Sequence, residues 1–345
     1  MLFLLAMALP NRCSDTCKTA SNNDAGLASI FSRNALLLHV KIASKMLAAR
    51  VAMFLGASFM GGVGLFLTYL TKGLGISVFG AVEFRGLFGL AWISIILAAS
   101  KKLHVIKELL EHKSLVLAVT VTSVLTIFFY FMTIDTAGLA IAAFLLYVGN
   151  LVAVLFMRAF LKEPMARITY VAYGLALAGV LVMEPWGDAT LTWGIITGIS
   201  SAIILGFLNL SKKKLFMTNA ASLAGKSLPE TDISLGLTWY TTLGLLAGFS
   251  FSWINDAPVM ATWNAMFAAV FLGLIPTALA FSLFNYGFQS DKGGNVLIIS
   301  YAEPVVAAVF QVLFFGGVPL AVVIGGACII AGNIITLKAR KPGQE

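Results

Sequence analysis

Charge is scarce in this chain. Asp, Glu, Lys and Arg make up only 11% of its 345 residues, and 59% are hydrophobic. Soluble domains carry about a quarter charged residues, so the composition excludes a solvated globular enzyme or binding module. Histidine is limited to His39, His104 and His112, all in polar segments, which leaves no apolar run with a Ser–His dyad or a His-rich metal site. Cysteine is nearly as rare. Cys13 and Cys17 sit in a polar tail with no second pair to complete a zinc site, and Cys328 lies in an apolar run as a small packing residue. No apolar run carries the paired acids of a metal-dependent lipid transferase. No metal and no cofactor is expected.

Long hydrophobic runs fill nearly everything after Arg50. Crossing a bilayer takes about 20 apolar residues. Runs of that kind occur at 51–71, 77–99, 114–134, 138–160, 167–184, 191–210, 233–253, 261–287, 294–316 and 318–337. The last two are divided only by Gly316-Gly317-Val318-Pro319, a tight turn by residue type. The expected fold is therefore an all-α membrane protein of ten transmembrane helices. The first 49 residues differ, with a short apolar run, a polar stretch and a mixed segment. That run lacks the basic start of a signal peptide, so residues 1–49 read as an uncleaved tail, and Met46 is an alternative start.

The net charge of +8 would suggest a nucleic-acid partner on a soluble protein. Here the basic residues sit in short connectors, where they set topology, and no basic stripe is interleaved with aromatics. With the N-terminus inside, every one of the 23 Lys and Arg residues falls on the inner side except Lys72 and Arg85. The outer side carries Lys72 with Asp135, Glu184, Asp188 and Asp256. A miscounted span would scramble this alternation. Both termini are expected in the cytoplasm, with the inner cell membrane as the location.

The chain also repeats itself. Tyr147-Val-Gly-Asn150 matches Tyr301-Ala-Glu-Pro304 at an offset of 154, and Ala178-Gly179 matches Ala331-Gly332 at 153. Tyr130 and Asn285 differ by 155. The unit is five spans, and an odd number inserts the second copy upside down. Inverted repeats of this kind hold a substrate between two opposed halves. The halves are expected at residues 50–185 and 186–338, followed by a cytoplasmic tail at 339–345.

These residues resemble the EamA-type family of the drug/metabolite transporter superfamily. The likeness rests on Phe84-Arg85, the small-residue run 140–154, Phe160-Leu-Lys-Glu163 and the Gly-containing run 174–182 in the first copy. In the second it rests on Ser300-Tyr-Ala-Glu-Pro-Val305 and the Gly-containing run 325–335. Gly149-Asn150 stands where the family usually has proline, and Phe315-Gly316-Gly317 lacks an acid present in the first copy. The resemblance implies a ten-helix carrier whose cavity is lined by spans one to four and six to nine, with the fifth and tenth bracing the outside.

An ionisable group inside a membrane costs about 2.5–3.5 kcal/mol on insertion scales, so each needs a reason. Glu83, Arg85 and Glu303 qualify. Glu83 and Arg85 lie about 200° apart around a helix and are poorly placed to neutralise each other. Arg85 is expected either to bind an anionic group on a substrate or to pair with Glu303 or freed carbonyls. Glu303 precedes Pro304, which removes a hydrogen bond to the Ser300 carbonyl and loosens the helix. A carboxyl beside such a break suits proton or cation coupling, for which Glu83 is a second candidate. Pro276 does the same to the Leu272 carbonyl and reads as a hinge.

Tyr147, Asn150, Asn285 and Tyr301 join Arg85 as expected cavity residues, with Trp193, Asn209 and Tyr240 as further polar-tipped groups. The run 220–227, Ala-Ala-Ser-Leu-Ala-Gly-Lys-Ser, nearly spells a phosphate-binding loop but has no strand before it. The expected function is secondary transport of a small organic metabolite, amino acid-like or otherwise amphipathic, by alternating access, with proton-coupled export one form of it. The alternative is a membrane-embedded enzyme acting on a lipid. A small-molecule substrate and membrane lipids are the expected partners, without nucleic acid, for a monomer or homodimer.

Overall fold

Lipid offers backbone groups no hydrogen bonds, so an apolar chain must satisfy them within helices. The computed structural model describes residues 47–48, 50–162, 167–183, 189–220, 228–284 and 299–339, and helices dominate throughout. Six are long and apolar enough to cross a membrane: α1 (Arg50–Gly73), α2 (Val78–Ala99), α3 (Lys113–Ala137, extended by the preceding turns from His104), α4 (Leu139–Leu161), α6 (within Ala189–Ala220) and α8 (Trp263–Phe284). Between and after them lie α5 (Ile168–Met183), α7 (Glu230–Phe249), α9 (Ala302–Phe315) and α10 (Leu320–Ala339). Residues from Ala48 onward form one compact unit.

Large apolar side chains face outward on many helices, including Leu117, Phe160, Tyr170, Leu177 and Leu313. A soluble monomer does not expose surface of that kind, and lipid covers it here. The protein is a multi-pass integral membrane protein.

Local chemistry fixes the corners. Ser77 caps α2, its hydroxyl accepting from the Gly80 amide at 3.1 Å. Gly138 turns α3 into α4 at φ +90°, a conformation that favours glycine. The connector 100–113 contains a short helix at His104–Glu108. Val105 on it and Leu109 just after it are buried in a cluster with Ile233 and Leu237 of α7, and that packing folds the connector.

Helices far apart in sequence pack side by side: α2 against α7, α4 against α9, and α5 against α10. α3 and α4 each pack against α6, and α8 and α9 each pack against α1. At the α5–α10 seam a side chain on Gly179 would meet the Gly325 carbonyl at 2.5 Å, and one on Gly332 would meet the Ala172 carbonyl at 2.7 Å. Both Gly179 and Gly332, and both Ala172 and Gly325, are 153 residues apart. The same antiparallel contact is made twice.

Candidate functional site

Proline at position 304 cannot donate to the Ser300 carbonyl, which accepts instead from the Glu303 amide at 3.0 Å and from a side chain of another helix. The Tyr147 hydroxyl of α4 donates to the Ser300 carbonyl at 2.6 Å and also lies 2.9 Å from Glu303 Oε2. Both tyrosines of the repeated motif are here. Tyr147 and Tyr301 stack at a tilt with ring centroids 5.0 Å apart. Glu303 is 7% exposed, so a carboxyl is held within the protein rather than at its surface. The Asn333 amide of α10 donates to the Tyr147 carbonyl at 3.1 Å and fixes the backbone of α4 at this level. On the other side Gly61 of α1 lies directly against the Glu303 carbonyl.

Pro276 in α8 poses the same problem and receives a similar solution. The helix widens over Leu274–Leu279, and the Thr277 hydroxyl donates to the orphaned Leu272 carbonyl at 2.9 Å. The Pro276 carbonyl in that widened turn accepts from Arg85 Nη2 of α2 at 3.5 Å. Arg85 is 5% exposed, with its guanidinium carbon 5.4 Å from the centre of the Phe131 ring. Arg85 and Glu303 feel each other's charge but form no ion pair.

Glu303, Tyr147 and Tyr301 thus come together, with Arg85 in the same buried interior. Glu83 is buried on α2. Asn150 is half-buried on α4, and no hydrogen bond joins it to the cluster. Asn285 lies outside the described residues, as does most of the run 220–227. Trp193 is 55% exposed, which puts it on the outer face of α6 rather than against a cavity. Tyr240 spends its hydroxyl on the Ile106 carbonyl at 2.6 Å. Among the described residues no group of three His, Cys, Asp or Glu is placed to hold a metal.

Sequence reading missed the partners of α2. At one end Lys102 pairs with Asp232 of α7 at 2.6 Å. At the other, the Ser77 hydroxyl and amide both donate to Asp256 in the short helix Trp253–Met260. Tyr130, noticed only as a marker of the repeat, lies 5% exposed beside the Arg85 site. Asn333 was also legible in principle, as an amide inside an apolar run.

Residues 192–338 match the model of the EamA-like transporter family. The chain is 29% identical over 223 residues to an uncharacterized transporter of Archaeoglobus fulgidus, covering 64% of this chain and 74% of that protein. It is 30% identical over 118 residues to human solute carrier family 35 member G1, covering 32% of this chain and 30% of that protein. A solved crystal structure superposes with a TM-score of 0.53 over 82% of this chain and 97% of its own length, at 21% identity, and so shares the fold.

Proposed function

We propose that this membrane transporter, a member of the EamA-like group within the drug/metabolite transporter superfamily, is a secondary carrier that moves a small organic solute by alternating access and couples it to protons at Glu303. In this reading residues 50–185 and 186–338 are inverted five-helix halves, ten crossings in all, with both termini in the cytoplasm and the inner membrane as the site. The doubled Gly179–Gly325 and Gly332–Ala172 contact supports the inversion, because an isologous seam is what a twofold axis produces. The one-sided distribution of Lys and Arg supports the orientation.

The observation that carries the reading is the meeting of Tyr147 with its own counterpart Tyr301 beside Glu303. A residue that touches its counterpart lies on the axis between the halves, where such carriers bind substrate. The Tyr147 hydroxyl has one hydrogen and two acceptors within reach. With Glu303 ionised, that hydrogen goes to the carboxylate. With Glu303 protonated, the carboxyl donates to the Tyr147 oxygen and Tyr147 donates to the Ser300 carbonyl. Gain or loss of a proton therefore changes how α4 grips α9 at its break. Among the described residues Arg85 from α2, Tyr130 from α3 and Tyr301 at the start of α9 are titratable groups acting at this point, and Gly61 of α1 lies against it. The ties of α2 at Lys102–Asp232 and Ser77–Asp256 sit at its two ends, where gates that open in turn would act.

The test is reconstitution. Purified protein in liposomes under an imposed pH gradient should accumulate at least one solute from a metabolite pool, saturably, and lose it when the gradient is dissipated. Accumulation by no solute, or accumulation indifferent to the gradient, would refute the reading. Tyr147→Phe should keep the fold at a cost of about 1 kcal/mol. It should flatten the dependence of flux on internal pH, measured over the same liposomes.

A further inference from the structure

We propose that Arg85 and Tyr130 together form a seat for the carboxylate group of the transported solute, an inference that rests on the carrier reading above. Both side chains are 5% exposed, and both hold a polar atom with no hydrogen-bond partner, Arg85 Nε and the Tyr130 hydroxyl. A buried donor left unpaired costs about 1–3 kcal/mol, and more when charged. Two such donors, from α2 and α3 and both set against the Phe131 ring, mark a place built for an acceptor that the chain does not itself supply.

The head group is held ready. Phe131, next to Tyr130, lies under the guanidinium, and the hydrogen bond to the Pro276 carbonyl is long at 3.5 Å, so little has to be broken when an acceptor arrives. The Nε–H lies beside an Nη–H on one edge of the planar fork, the edge that grips the two oxygens of a carboxylate. The charge selects the class. Arg85 is the one buried basic residue among those described as buried, and Tyr130 adds a neutral donor. With Glu303 protonated, one positive charge with a phenol matches a monoanion, whereas a phosphate dianion would leave a charge uncompensated in a low-dielectric interior. Phe84, Phe131 and Ile134 pack around the pair and would receive an apolar solute body.

The experiment uses the purified full chain in detergent and a small-molecule extract of the expression host, offered natively and after its carboxyl groups are converted to methyl esters. Solutes retained through gel filtration are identified by mass spectrometry. The seat predicts that the retained solutes carry a carboxyl group and disappear from the esterified extract. Tyr130→Phe should weaken their binding about tenfold, since one hydrogen bond to a charged group is lost. Arg85→Lys should weaken it about tenfold or more by removing the fork, and Arg85→Met should abolish it, at unchanged gel-filtration profiles. Retention of the same solutes after esterification, or undiminished binding by Tyr130→Phe and Arg85→Met, would overturn the seat. If that retained binding is lost in Tyr147→Ala and Tyr301→Ala, the carrier reading stands while the seat falls. Retention of nothing from either extract counts against both.

Discussion

Glu303→Gln is expected to abolish solute accumulation driven by a pH gradient and to leave solute binding measurable. Glutamine has the shape of a protonated glutamate and the same ability to donate to the Tyr147 oxygen, so the α4–α9 contact survives. What it cannot do is release a proton. The variant is therefore fixed in one of the two hydrogen-bonding arrangements, with the Tyr147 hydrogen committed to the Ser300 carbonyl. Gradient-driven uptake should fall to the level of empty liposomes, while exchange of labelled for unlabelled solute across the same membrane continues. Unchanged gradient-driven flux in this variant would remove Glu303 from the coupling. Loss of uptake and exchange together, in a well-folded sample, would make it a binding group instead.

The second large effect concerns the seam between α5 and α10. Gly179→Val and Gly332→Val each place a side chain into space occupied by a carbonyl, at 2.5 and 2.7 Å respectively. The helices must then separate, at an expected cost of about 1–3 kcal/mol for overpacking. Because the contact is the same contact made twice, the two losses should agree within about 0.5 kcal/mol in thermal or denaturant unfolding. The double variant should lose less than the sum, since the first substitution has already opened the seam for the second. Single losses differing by several-fold would mean that the two contacts are not equivalents.

The helices were legible because a bilayer imposes one length and one polarity on each crossing. α7 shows the limit of that rule. Glu230 and Asp232 at its start lower its apolar character, and it is not among the six helices that meet the length and hydropathy of a crossing. The helical connector at His104–Glu108 was hidden for the opposite reason, since its order comes from Val105 and Leu109 packing on α7. In the site, the offset of 154 residues brought Tyr147 and Tyr301 to notice, and their rings meet. Pro304 pointed to a freed carbonyl, but no spacing rule says that Tyr147 fills it. Nor could sequence reveal that the Leu272 carbonyl is answered by Thr277. Arg85 was conspicuous as a charge in an apolar run. Tyr130 was not, because a tyrosine is ordinary there and only the absence of a partner for its hydroxyl makes it unusual.

The α5–α10 seam also bears on how the chain is made. Gly179 and its counterpart Gly332 are 153 residues apart, so the fifth helix leaves the ribosome long before the tenth exists. At about 5–20 residues per second the interval is roughly eight to thirty seconds. Throughout it α5 offers the bilayer a small-residue surface shaped for a partner not yet synthesised, which lipid tails fill poorly. Assembly of this protein is therefore finished from its far end. Until the residues from 320 onward are made, the face of α5 that receives α10 has no protein to pack against.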